Sequence, residues 1–265
     1  RRLHLSPTGR RNVSLSDDLL GLKPKEPRTL VIDIETSPNV VYAWGLWDQN
    51  IGTSQIIETT RVLCFAAKWL GEKKVHFHDE RDGRSTMLTA AWDLMNEADI
   101  IVGYNHVKFD LPHLRREFLS LGMLPPSPAQ DIDLLKINRQ TFNFPSNKLG
   151  FVTEQLRLDS KLETGGQDLW NAVLQGDEKA WAKFRKYNIQ DVLITEQLFE
   201  VLSPWIKGPH KGMWSGNMRA CFSCASTDLA FMGFIYEKVM AYPKFQCEGC
   251  GAWNKLLRNG QTRAA

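Results

Sequence analysis

Apolar and polar positions change rhythm sharply along this chain, and the first clear rhythm is a nearly unbroken apolar run. Leu30, Val31, Ile32 and Ile34, within LVIDIETSP (Leu30 to Pro38), predict a central strand covered on both faces. VVYAWGLW (Val40 to Trp47), RVLCFAAKWL (Arg61 to Leu70) and KKVHFHD (Lys73 to Asp79) extend it into a β-meander. The period then switches to that of a helix. Ser85 to Glu97 carries Met87, Leu88, Ala91, Trp92 and Met95 at helical spacing, and ADIIVG (Ala98 to Gly103) is a short apolar strand. A helix is expected from about Leu111 to Leu121, and a strand or turn over Gln130 to Ile137. Lys148 to Leu156, Asp168 to Leu174 and Glu178 to Leu202 read as helices, the last with Trp181, Phe184, Ile189, Val192, Leu193 and Phe199 as its apolar positions. Antiparallel strands followed by alternating helices and strands predict an α/β fold, a mixed sheet flanked by helices.

Outside these rhythms lie two stretches of different character. Residues 1–27, with mixed charge, Pro24 and Pro27, show no sustained period and read as a basic N-terminal arm or linker. Residues 203–217, rich in Gly and Pro, mark a second boundary, which leaves residues 28–202 as the main domain and 218–265 as a small appendage. A length of 265 residues suits that division, and 43% apolar and 24% charged content is that of an ordinary globular protein. The formal charge of +3 does not by itself argue for nucleic acid. Its distribution adds something: Arg1, Arg2, Arg10 and Arg11 cluster in the arm, and Lys255, Arg258 and Arg263 follow the last cysteines. Either group touches phosphates or is a solvated, flexible terminus. No apolar run reaches the roughly 18 residues of a membrane span, and no signal peptide is recognisable. A soluble protein of a reducing, cytoplasmic compartment with no membrane partner is expected.

Acids do not belong in a buried strand, yet Asp33 and Glu35 sit in this one. Residues two apart on a strand share a face, so their like charges need a cation between them unless that end of the strand is simply solvated. In GYNHVKFDLPHL (Gly103 to Leu114), Asp110 stands at the mouth of a helix, where an acid either caps the helix or serves a site. In YNIQD, Tyr187 and Asp191 lie four apart and so stack on one helix face, as an ordinary surface pair also would. Asp33-x-Glu35 and Tyr187-x-x-x-Asp191 are each the sole instance of their spacing in the chain.

DIE, GYNHVKFD and YNIQD, in that order, resemble the three motifs of the DEDDy class of 3′-to-5′ exonucleases. The second is especially similar to the proofreading domain of family B DNA polymerases, and KLGFVTEQL (Lys148 to Leu156) resembles a helix that precedes the third motif there. The resemblance implies a ribonuclease H-like sheet and two Mg²⁺ or Mn²⁺ ions held by Asp33, Glu35, Asp110 and Asp191. Tyr187 then orients the attacking water, because a phenol with a reference pKa near 10 is a poor base at neutral pH. Asp131 and Asp133 stay outside the catalytic set. Phe109, Asn105 and Trp44 are candidate substrate contacts; Phe109, Trp44 and Trp47 either stack on bases or pack within the fold. His76 and His78 read as surface residues. The expected activity is 3′-to-5′ hydrolysis of DNA from single-stranded or frayed ends, with RNA trimming or a non-catalytic nucleic-acid adaptor as alternatives.

Cys221-x₂-Cys224 and Cys247-x₂-Cys250 enclose 22 residues and predict one structural Zn²⁺ in a zinc ribbon. Two disulfides are the competing reading, which the lone Cys64 in an apolar strand disfavours. A ribbon of this kind binds nucleic acid or a replication or repair protein.

Overall fold

The computed structural model describes residues 25–163 and 165–265, so the arginines of the N-terminal arm lie outside the described residues. The chain divides into a unit of Arg28–Phe199 and a unit that holds Glu200–Ala265.

The larger unit is built on β1 (Thr29–Thr36), which is central in a five-stranded sheet. β2 (Val40–Val41) and β3 (Ile56–Glu58) form a separate two-stranded ribbon. β4 (Val62–Trp69) pairs antiparallel with β1 and with β5 (Val75–Asp79). On the other side, β6 (Ile100–Gly103) runs parallel to β1, and β7 (Gln130–Asp133) parallel to β6. The sheet is therefore mixed, as the strand pattern predicts.

Alternation along β1 sorts its side chains between two layers. Leu30, Ile32 and Ile34, with Phe65 and Ala67 of β4, pack against Met87, Leu88, Ala91 and Met95 of α1 (Arg84–Glu97) and Leu111, Leu114 and Phe118 of α2 (Asp110–Ser120). Asp33 and Glu35 consequently point to the opposite face. On that face Leu63 and Cys64 meet Leu169 and Val173 of α5 (Gln167–Leu174) and Trp181 and Phe184 of α6 (Glu178–Leu202). In the sequence, α3 (Leu134–Thr141) and α4 (Leu149–Gln155) come between α2 and α5. Lys68 of β4 and Glu196 of α6 form a buried ion pair.

Two local expectations are corrected. The strand over Val40 to Trp47 shrinks to the two residues of β2, and the aromatic stretch after it does not pack: Trp44 is 96% and Trp47 83% exposed. Its apolar alternation finds no neighbouring strand beyond β3, and Asp48 turns the chain at φ 49°. Gln130 to Ile137 is neither one strand nor one turn. Asp133 switches strand to helix by accepting from the N–H groups of Leu135 at 3.0 Å and Lys136 at 3.3 Å, the ordinary work of an N-cap acid.

In the smaller unit, α7 (Gly212–Ser215) precedes β8 (Leu229–Tyr236), β9 (Ala241–Cys247), β10 (Trp253–Leu256) and β11 (Thr262–Ala264). They form an antiparallel sheet in the order β11-β10-β9-β8. Lys255 and Arg263 are strand residues here, not parts of a flexible tail. Among the described residues no helix is long and apolar enough to cross a membrane.

Candidate active site

Asp33 and Glu35 meet Asp191 of α6 across the open face of β1. One carboxylate oxygen from each of the three lies within 4.8 Å of the others. Asp110 arrives from the other direction, as the first residue of α2. Its Oδ1 accepts the N–H of Ile34 at 2.9 Å, so it ties the helix to the strand rather than capping the helix. The loop that delivers it is tight. Asn105 adopts φ 66°, and a Cβ at Gly103 would come 2.7 Å from the Cβ of His106. Asp133 steadies this loop by accepting the N–H of Asn105 at 3.0 Å.

α6 contributes more than its acid. Asn188, fully buried and one residue after Tyr187, donates to Asp33 Oδ2 at 2.7 Å and to the Asp33 carbonyl at 3.3 Å. The Cys64 thiol donates in turn to Asn188 Oδ1 at 3.7 Å, which fixes the amide's orientation. Lys161, on the loop before α5, contacts Asp191 Oδ2 at 2.6 Å and lies 4.7 Å from the centroid of the Tyr187 ring. Asp33, Asp191, Lys161, Tyr104, Lys148 and Phe151 help line an open cleft of about 700 Å³. Of the candidate substrate contacts, none of Phe109, Asn105 and Trp44 is among the cleft residues; Phe109 is half-exposed beside Asp110, where its ring meets His113 edge-on at 4.7 Å.

All four acids resist ionisation. Burial, then the charges of Asp110, Glu35 and Asp191, raise Asp33 well above the usual carboxylate range. Burial and Asp191 push Glu35 up to about 8, and burial pushes Asp110 up to about 6. Asp191 is raised by burial and only partly restrained by Lys161 and by hydrogen bonding with Lys161 and Tyr187. Tyr187 is held above its ordinary value by burial and by Asp191, so its hydroxyl keeps its proton. Asp191 Oδ1 is buried and has no hydrogen-bond partner among the described residues. Raised carboxylates around an unsatisfied buried oxygen are what a cation site looks like before the cation is counted. The donor set therefore fits a divalent metal with oxygen ligands.

Lys161 and Asn188 were not singled out from the sequence. Asn188 carried a faint signal, since it lies three residues from Asp191 on the same helix; Lys161 carried none.

In the smaller unit the four cysteines converge. Their sulfurs lie within 4.8 Å of one another, with Cys221 to Cys250 at 3.7 Å and Cys224 to Cys247 at 3.5 Å. A disulfide needs about 2.05 Å, whereas a tetrahedron with metal–sulfur bonds of about 2.3 Å separates its sulfurs by about 3.8 Å. The two Cys pairs use the same backbone pattern. Cys221 donates to the carbonyl of Ser226 and receives from Ala225, and Cys247 donates to Ala252 and receives from Gly251. Ala225 and Gly251 accordingly both have positive φ, 63° and 77°. Buried Asn254 joins the halves, accepting from the N–H of Phe222 at 2.9 Å and donating to the Cys221 sulfur at 3.6 Å. Burial works to raise the Cys247 thiol, but the N–H groups of Cys250 and Gly249 bring it below its ordinary value, which favours a thiolate ligand.

A family model for the RNase_H superfamily matches residues 30–203, the span that carries all four acids. The chain belongs to the RNase_H superfamily. One solved structure with a similar fold is the family B DNA polymerase from the hyperthermophilic archaeon Pyrobaculum calidifontis, at 21% identity and a TM-score of 0.52. The match covers 69% of this chain and 25% of the polymerase, so the chain spans only a quarter of that relative. No curated protein matches the chain.

Proposed function

We propose that the protein is a metal-dependent 3′-to-5′ exonuclease that hydrolyses phosphodiester bonds from single-stranded or frayed DNA ends. In this reading residues 28–202 form the nuclease domain, 203–217 a linker and 218–265 a zinc ribbon. The observation that carries the proposal is the gathering of Asp33, Glu35 and Asp191 oxygens within 4.8 Å of one another, with a buried Asp191 oxygen that has no hydrogen-bond partner among the described residues.

Asp33, Glu35 and Asp191 would hold Mg²⁺ or Mn²⁺, and Asp33 with Asp110 a second such ion. Bound there, the ions supply Lewis-acid stabilisation of the phosphoryl and leaving 3′ oxygens. The chain's own residues do the rest. Asn188 fixes one oxygen of Asp33 and leaves the other free to serve as a ligand. Tyr187 acts as a donor that orients the attacking water, because its proton is held too tightly for a base. Lys161 balances part of the carboxylate charge before substrate arrives. The cleft receives the terminal nucleotide, and Phe109, Asn105 and Trp44, which lie outside its lining, would contact the strand beyond it. Zn²⁺ on the four cysteines is structural, since four thiolates leave no open position. None of the five cysteines is in a disulfide, which suits a reducing cytoplasm.

End-labelled DNA and RNA of matched sequence, incubated with Mg²⁺, Mn²⁺ or chelator, test the proposal. Mononucleotides should leave the 3′ end of DNA first, a 3′ block should stop release, and Asp33→Asn should abolish it in a folded protein. Turnover by Asp33→Asn above a few per cent of the parent, or release from the 5′ end of a 3′-blocked strand, would overturn it.

A further inference from the structure

Strand register lines up three cations on one face of the ribbon sheet. Lys244 of β9 pairs with Lys255 of β10, and Lys255 pairs with Arg263 of β11. Paired residues share a face, so one positive charge stands on each of three adjacent strands, about 4.8 Å apart at the backbone. Two residues along the same face stand Tyr242 and Trp253. Lys244 Nζ lies 5.6 Å from the centroid of the Trp253 ring, and Lys255 Nζ 5.4 Å from that of Tyr242. The other face carries Cys247 and Asn254 and belongs to the cysteine cluster.

Like charges placed directly opposite one another destabilise a sheet. Here Glu237 pairs with Lys255 alone, and among the described residues Lys244 and Arg263 have no ion-pair partner. The row costs the fold something that a polyanion laid across it would reverse. Trp253 is 41% exposed, so its ring adds a stacking surface at the edge of that row.

We propose that this face binds single-stranded DNA, with phosphates on Lys244, Lys255 and Arg263 and bases against Trp253 and Tyr242. A single strand offers both partners, whereas a duplex keeps its bases stacked and an acidic peptide brings no bases. The choice of DNA over RNA rests on the nuclease reading above; the site itself does not. It places a strand-capture surface on the unit that carries no carboxylate cluster.

The test measures binding, so that it is independent of cleavage. The full chain carrying Asp33→Asn is titrated into a labelled single strand of roughly 20 nucleotides over a range of salt, by fluorescence anisotropy. Adding Lys244→Gln, Lys255→Gln and Arg263→Gln together should weaken binding at least tenfold at low salt and lower the salt slope by about 2, at about 0.7 per phosphate contact. Trp253→Leu should weaken it about tenfold by loss of stacking. Zinc content should stay unchanged and the melting temperature should hold or rise, because repulsion has been removed. If the triple variant loses zinc, Lys244→Gln alone should still lower the slope by about 0.7, with Lys244→Arg restoring it. Equal affinity and slope in parent and zinc-retaining variants would overturn the proposal, as would equal binding of a duplex. Tighter binding of single-stranded RNA with the same losses would overturn the assignment to DNA. With Asp33 intact, an inert parent would sink the nuclease reading and leave the binding result standing.

Discussion

Removing metal should make this protein less stable as pH rises, and restoring metal should reverse the trend. Glu35 is pushed up from 4.5 to about 8 in the fold. Between those values the native state holds a proton that the unfolded chain has released, so the native state binds more protons and stability falls with rising pH. The stabilisation is fully present below about 4.5 and is lost as pH climbs through about 8. One extra native proton corresponds to a slope of about 1.4 kcal/mol per pH unit in mid-window. For a unit of this size that is roughly 3–5 °C of melting temperature per unit. Asp110, pushed up to about 6, steepens the lower part of the window. Metal ligands must be deprotonated, so binding expels these protons. At pH 7 a group titrating near 8 is about nine-tenths protonated and one near 6 about one-tenth, which gives at least about one proton released. Calorimetric titration with Mg²⁺ in two buffers of different ionisation enthalpy counts that proton, and melting curves with and without Mg²⁺ from pH 5 to about 9 follow the slope. Mg²⁺ binding at pH 7 with no proton release, or a metal-free melting temperature flat across the window, would refute the reasoning.

Three further outcomes are expected. Tyr187→Phe should slow single-turnover cleavage about 10- to 1,000-fold with unchanged metal affinity by calorimetry, because it deletes one orienting hydroxyl and no ligand. Asn188→Ala should cost about 1–3 kcal/mol in denaturant melts by stranding the Cys64 thiol and an Asp33 oxygen, and should weaken Mg²⁺ binding as well. Ala225→Gly should stabilise the cysteine knuckles by up to about 1–2 kcal/mol, since φ 63° strains a side chain there; slower zinc loss to a chelator is the readout.

Much of the fold was legible in local pattern. α1, α2, α4, α5 and α6 begin and end within a residue or two of the apolar periods that announced them, because each buries a stripe set by its own spacing. Asp33 and Glu35 were readable for the opposite reason, since two acids contradict a buried strand. The stretch after Val41 misled because aromatic and β-branched residues look like a strand whether or not a neighbour exists to pair with. Lys161 and Asn188 were invisible because they act across 30 and 155 residues of sequence. No spacing rule reaches that far. Asp133 stands outside the catalytic set in the sequence; its cap contacts are local, but its hold on Asn105 emerges only once β7 pairs with β6.

The buried pair of Lys68 with Glu196 lies eight residues, about 12 Å, along α6 from the contact of Asn188 with Asp33. α6 is therefore a beam resting on two supports, and Asp191 sits in the span between them. A helix held at one point can pivot or slip by a turn; one held at two points on the same sheet can do neither without breaking a buried contact at each. The Asp191 carboxylate is thus placed by the sheet it faces and not by the tip of a loop, and its position is set by contacts on either side of it.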